Sequence, residues 1–190
     1  MTKEPKGFPA EASGIDNRSR LKELAELEII GTDPEDQYDQ IITLMTLSFN
    51  TPIAAISFID ENRQWFKSET GINQLEIPLT ESFCSRETLL SEIVVIEDAR
   101  TDHTLQHHPM VKNEPYIRFY AGVAIRGPNG QAVGTCYIMD RKPRKFSDND
   151  IRQLMVFAQL VETQIRNHAE VISVKHQAVN SVYYDPLTGL

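Results

Sequence analysis

Ile117-Arg118-Phe119-Tyr120-Ala121-Gly122-Val123-Ala124-Ile125-Arg126, followed by Pro128-Asn129-Gly130 and then by Gln131 to Met139, is the longest paired pattern in the chain. Phe119, Ala121, Val123 and Ile125 alternate with Tyr120, Gly122, Ala124 and Arg126, the period of two that sends successive side chains to opposite faces of a strand. Pro128-Asn129-Gly130 supplies turn chemistry, and the run to Met139 returns as a second strand. The spacing therefore predicts an antiparallel hairpin. Gly122 and Gly134 fall inside its arms, where glycine marks a bulge or a close approach of another backbone.

Working outward, Pro52 to Ile59 is a second β-rich run, turned by Asp60-Glu61-Asn62 into a return arm from Arg63 to Glu69 and ended by Gly71. Ser82 is placed to cap a short helix running to Leu90. Ile93-Val94-Val95-Ile96 reads as a short buried strand, and 99–114 as loop with one helical turn. Before these strands, 17–30 has Leu21, Leu24, Ala25 and Leu27 near one helical face, with Gly31 as its stop. Thr32-Asp33-Pro34-Glu35 then offers a side-chain cap, a first-turn proline and acids for the next helix. Tyr38, Ile41, Ile42, Met45 and Phe49 form its apolar stripe.

After the long hairpin, Ser147 caps a last helix that carries Asp148 and Asp150 in its first turn. Ile151, Leu154, Ala158, Val161, Ile165, Ile172 and Val179, with His168 and Lys175 filling the remaining seam positions, recur in steps of three and four. That is a heptad pattern. Packing on the chain's own sheet accounts for it to about Val161, and a partner helix is expected beyond.

Composition narrows the classes. The chain has 190 residues, 41% of them hydrophobic, enough for one packed domain with extensions. A formal charge of -8 argues against nucleic-acid partners or an acidic membrane surface. No run of apolar residues is long enough to span a bilayer. Residues 1–14 lack a secretory pattern, so a cytoplasmic location with reduced Cys84 and Cys136 is expected. The elements together predict an α+β fold: an antiparallel sheet of five to six strands, terminal helices on one face, and an irregular middle that roofs a pocket on the other.

The residues resemble a GAF domain of the bacterial sensor type from about Leu21 to Arg166. The resemblance is carried by Leu27 to Glu35, Pro52 to Asp60, Gln64-Trp65-Phe66-Lys67-Ser68, Ser82-Phe83-Cys84, Val94 to Ala99, Ile117 to Gly122 and Val133 to Asp140. The C-terminal Asp185-Pro186-Leu187-Thr188-Gly189-Leu190 resembles the opening motif of GGDEF domains, which make cyclic dimeric GMP from two GTP molecules. These resemblances imply a lead-in over 1–16, a GAF sensor over 17–166, a coiled-coil signalling helix over 167–182 and the first residues of a GGDEF domain over 183–190. They also imply a homodimer whose helix contacts are Ala158, Val161, Ile165, His168, Ile172 and Val179, relaying an unknown small-molecule signal to the output. No cyclase activity is expected of a chain lacking the Gly-Gly-(Asp/Glu)-Glu-Phe turn.

The candidate pocket residues are Cys84, Asp98, Asp102, Arg118, Tyr120, Phe83 and Trp65. Cys84 near a helix start could have a lowered thiol pKa, or simply be a small buried side chain. Ser85, where bilin-attaching GAF domains have histidine, weighs against a bilin. Two isolated cysteines weigh against methionine sulfoxide reductase chemistry, and the cyclic-nucleotide signature of the family is not recognisable. Arg118 and Tyr120, two apart on a strand, could face an anionic or planar ligand together with Asp98 and Asp102; alternatively Arg118 and a carboxylate pin the loop. Trp65 and Phe83 fit either a pocket wall or the core. His103, His107 and His108 lie in a loop without a completing ligand, so no metal is expected. The cofactor is left unknown and no catalytic residue is assigned. A cysteine-based enzyme and a ligand-free dimerisation module are the alternatives to a sensor.

Overall fold

The computed structural model describes residues 17–83 and 86–183. Its elements are α1 (Asn17–Glu26), α2 (Asp36–Phe49), β1 (Ile53–Ile59), β2 (Arg63–Thr70), β3 (Glu76–Pro78), a 3-10 turn at Leu79–Glu81, α3 (Arg86–Leu90), β4 (Ile93–Ile96), α4 (Pro109–Lys112), β5 (Phe119–Arg126), β6 (Ala132–Asp140) and α5 (Asp148–Tyr183). The six strands form one antiparallel sheet in the order β3-β2-β1-β6-β5-β4. The expected α+β architecture is therefore present, with both predicted hairpins in place.

The sheet is covered on both faces. On one, Phe119, Ala121, Val123 and Ile125 of β5 pack with α2 and α5. On the other, Tyr120 and Ala124 join Phe66, Tyr137 and the irregular segments. The two glycines answer to close approach. A Cβ on Gly134 would lie 2.0 Å from the carbonyl oxygen of Ser57, and one on Gly122 would meet the ring of Tyr120.

Four expectations are altered and one strand was not foreseen, each for a local reason. First, α1 stops at Glu26 rather than at 30, because Glu28 takes a left-handed φ of 48° and Leu27 and Ile29 turn into the core. Second, α2 begins at Asp36, not at Thr32-Asp33-Pro34-Glu35. Lys67 lies buried in β2 and takes three oxygens from that linker: Thr32 Oγ1 at 2.7 Å, the Asp33 carbonyl at 2.8 Å and Glu35 Oε1 at 2.5 Å. A buried ammonium must be paired and hydrogen-bonded, which holds the linker outside the helix.

Third, Ser82 does not cap a helix; its hydroxyl donates to the Gln64 side-chain oxygen, and α3 starts only at Arg86. Fourth, β4 is a half-buried edge strand rather than a buried one. Fifth, β3 is a three-residue opposite edge with Pro78 at its end, too short to show alternation.

The last helix opens as foreseen. Asp150 N donates to Ser147 Oγ at 3.2 Å while Asp150 Oδ2 accepts from Ser147 N at 2.8 Å. Its apolar seam packs on the chain's own core past Val161: Leu154, Ala158, Val161 and Ile165 are buried there. A ring nitrogen of His168 reaches the Leu27 carbonyl at 2.8 Å, and His176 lies 2.9 Å from Glu28. The linker after α1 thus meets the seam at His168, while Val179 further along it is exposed.

α1 is tied to the far end of the sheet as well. Glu23 is buried, with Oε1 accepting from Asn129 N at 2.6 Å and Oε2 from Gln131 N at 3.1 Å. Its carboxylate closes the β5–β6 turn.

Candidate functional site: a cleft between the sheet and its irregular roof

Strand alternation sets the floor of a cleft of about 480 Å³ on the face away from the long helices. In β2, Gln64 and Phe66 face it, whereas Trp65 between them points to the helical side and packs on Phe58. Ile53 of β1 and Tyr137 and Met139 of β6 complete the floor. Ile72, Phe83 and Met110 come over it from the loops and α4. Gly71, at φ +84°, makes the first of these turns possible, because a Cβ there would lie 2.5 Å from the Pro52 carbonyl oxygen.

The floor carries a buried polar chain. Gln64 donates to Ser57 Oγ at 2.7 Å, Ser57 and Thr135 hydroxyls lie 3.0 Å apart, and Ser82 donates to Gln64. Such a connected set fixes the orientation of the Gln64 amide at the cleft wall. The aromatic side is also ordered: Phe83 meets the His108 imidazole edge-on at 4.6 Å and lies 5.9 Å from the Tyr120 ring. His108 caps α4 through Nδ1, which accepts from Met110 N at 3.2 Å. Burial holds its imidazole below the ordinary histidine value, opposed by the Ser82 carbonyl and the Glu81 charge.

Charged groups stand only at the rim, where Glu81, Glu114 and Arg141 line the opening. The deep wall is apolar and aromatic with one amide, which suits a small, largely uncharged ligand held by shape.

Of the residues singled out in the sequence, Phe83 lines this cleft and Tyr120 stacks behind it. Trp65 belongs to the helix-side core. Arg118 donates to the Val111 carbonyl at 2.9 Å and the Ile117 carbonyl at 3.0 Å, so it pins the segment before β5. Asp98 is paired with Arg100; that hydrogen bond, with the charges of Arg100 and Arg118, holds its carboxyl below the usual range. Asp102 accepts from the backbone of Thr104 and Leu105, each at 2.9 Å, and caps a turn. Cys84 lies outside the described residues. Gln64, Phe66, Tyr137 and Met139 were not singled out; a glutamine beside Trp65-Phe66 in a buried strand is the signal that could have found the first of them.

Cys136 is fully buried beside Met45, and burial pushes its thiol up. A thiol held protonated there is unsuited to nucleophilic attack. Among the described residues no group of three His, Cys, Asp or Glu could hold a metal ion, and no helix is long and apolar enough to cross a membrane.

Residues 33–165 match the GAF domain family. The chain belongs to the GAF domain family. Solved structures agree on the fold. The GAF domain of an Acinetobacter phosphoenolpyruvate-protein phosphotransferase superposes with a TM-score of 0.59 at 18% identity, covering 82% of this chain and 95% of that one. A free methionine-R-sulfoxide reductase from Neisseria meningitidis, solved with its substrate, gives 0.57 at 13% identity, covering 83% and 95%. In sequence, a cyclic di-GMP phosphodiesterase of Pseudomonas aeruginosa is 32% identical over 176 residues. That alignment takes in 92% of this GAF-containing chain, and the chain spans 28% of the length of that relative.

Proposed function

We propose that this GAF domain is a non-catalytic sensory unit that controls cyclic di-GMP turnover by an output domain following α5. The observation that carries the reading is the similarity to the Pseudomonas aeruginosa phosphodiesterase, which extends over 92% of this chain and beyond the family match on both sides. The GGDEF-like Asp185 to Leu190 supports the same setting and lies outside the described residues. The geometry supplies a path. The cleft floor belongs to β1, β2 and β6, while β5 and β6 also support α5. A ligand that favours one packing of the sheet thereby biases the helix that leaves the domain.

The test is cyclic di-GMP turnover by the full-length protein carrying Met139→Trp, which fills the cleft, and by the unaltered protein. The expected result is a several-fold change in turnover with the fold retained. Turnover indifferent to cleft filling refutes the reading. Native mass spectrometry of the purified chain identifies any bound small molecule.

A further inference from the structure

The mouth of the cleft carries charges of both signs that the fold does not use. Glu81 ends the 3-10 turn after β3, Glu114 follows α4, and Arg141 directly follows β6; all three line the opening. Each is exposed, and among the described residues none makes a side-chain hydrogen bond or ion pair. His108 feels the Glu81 charge, but burial keeps its imidazole below the ordinary value, so it does not neutralise that carboxylate at pH 7. Neighbouring charges are already committed. Arg144 pairs with Asp140, Lys145 pairs with Glu97, and Arg118 donates to two carbonyls. Below the mouth the polar groups are spent on one another, since the Gln64 amide donates to Ser57 and accepts from Ser82.

We propose that the cleft takes a free aromatic amino acid, with the side chain inward, the carboxylate on Arg141 and the ammonium at Glu81 and Glu114. The inference rests on the reading of the cleft as a ligand site and names what enters it. Three physical constraints fix the class. A charge carried into the deep part would lose its hydration without a partner, so the inner end of the ligand is apolar. The rings of Phe66, Phe83 and Tyr137 make that wall aromatic, which favours an aromatic body in offset or edge contact. The outer end must answer both signs at once.

A guanidinium presents a planar fork that matches a carboxylate. One guanidinium against two carboxylates leaves negative charge in excess, which repels a phosphate or any purely anionic ligand. A purely cationic ligand would leave Arg141 without a partner. A zwitterion uses all three side chains and adds no net charge. The volume of about 480 Å³ lies within the range of about 300–1,000 Å³ for small-molecule sites.

The test is calorimetric titration of the 190-residue chain with three probes of one body: L-phenylalanine, phenethylamine, which lacks the carboxylate, and phenylpropionate, which lacks the ammonium. Saturable binding of phenylalanine is expected, with each single-charge analogue about five-fold weaker, the scale of one ion pair at a solvent-exposed rim. Arg141→Gln should bring phenylalanine down to phenethylamine, and Glu81→Gln with Glu114→Gln should remove its advantage over phenylpropionate. Lys142→Gln, the exposed cation next to Arg141, should change neither preference, and Met139→Trp should abolish binding. Three results each overturn the proposal: no saturable binding of phenylalanine, an analogue that binds as tightly, or an Arg141→Gln chain that keeps the preference. Failure here is distinct from failure of the sensory reading. Turnover that responds to Met139→Trp in a protein that ignores phenylalanine refutes the ligand class alone, and turnover indifferent to Met139→Trp in a protein that binds phenylalanine refutes the sensory reading alone.

Discussion

Glu23→Ala tests the tie between α1 and the β5–β6 turn. The buried carboxylate accepts two backbone N–H groups, from Asn129 at 2.6 Å and Gln131 at 3.1 Å. Hydrogen bonds to a charged group contribute about 1.5–3 kcal/mol each. Asn129 is an exposed residue, so water can replace part of what its N–H loses. Weighing one bond in full and the other at a fraction gives a loss of about 2–3 kcal/mol. For a domain of this size that lowers the thermal midpoint by about 4–12 °C. The matched control is Glu26→Ala on the same helix, whose exposed pair with Lys22 at 3.7 Å contributes about 0.5 kcal/mol or less. Thermal unfolding followed by circular dichroism gives the magnitude, and hydrogen exchange at Asn129 and Gln131 gives the location. If Glu23→Ala melts with the Glu26→Ala control, or if exchange at those two amides does not change, the carboxylate does not hold the turn and the reasoning fails.

Gly134→Ala is expected to cost about 3 kcal/mol, because its Cβ would stand 2.0 Å from a β1 carbonyl and the central strands would have to part; chemical denaturation checks this. His108 makes stability sensitive to mild acid. Its folded pKa is depressed by burial, so the unfolded chain binds the proton more readily. Stability is therefore full above the unfolded histidine range and declines as pH falls through about 6.5 toward the folded value. His108→Asn keeps a cap acceptor without the titration, and its thermal midpoint should change less than that of the unaltered chain between neutral and mildly acidic pH.

The fold was legible where one side-chain period governs a long segment. Alternation in β5 and β6, the stripe of α2 and the cap of α5 each follow from a local rule that tertiary contacts reinforce. Boundaries shifted where a distant side chain intervened. Nothing near Thr32 reveals that Lys67, 35 residues on, draws the linker away from helix. The site was less readable for a related reason. Arg118, Asp98 and Asp102 were attractive as charged residues in an irregular segment, yet irregular backbone needs partners, and these side chains supply them. The cleft wall is instead built from Phe66, Tyr137 and Met139, residues indistinguishable in sequence from ordinary core. The seam of α5 shows the same limit: periodicity placed it on the chain's own sheet to about Val161, but could not show that the same core also covers Ile165.

That helix is held differently along its length. From Leu154 to Ile165 its inner side is buried in the domain core, and further on His168 and His176 tie it to Leu27 and Glu28 in the linker after α1. The linker is therefore placed to act on the C-terminal half of the helix while the N-terminal half stays clamped to the sheet.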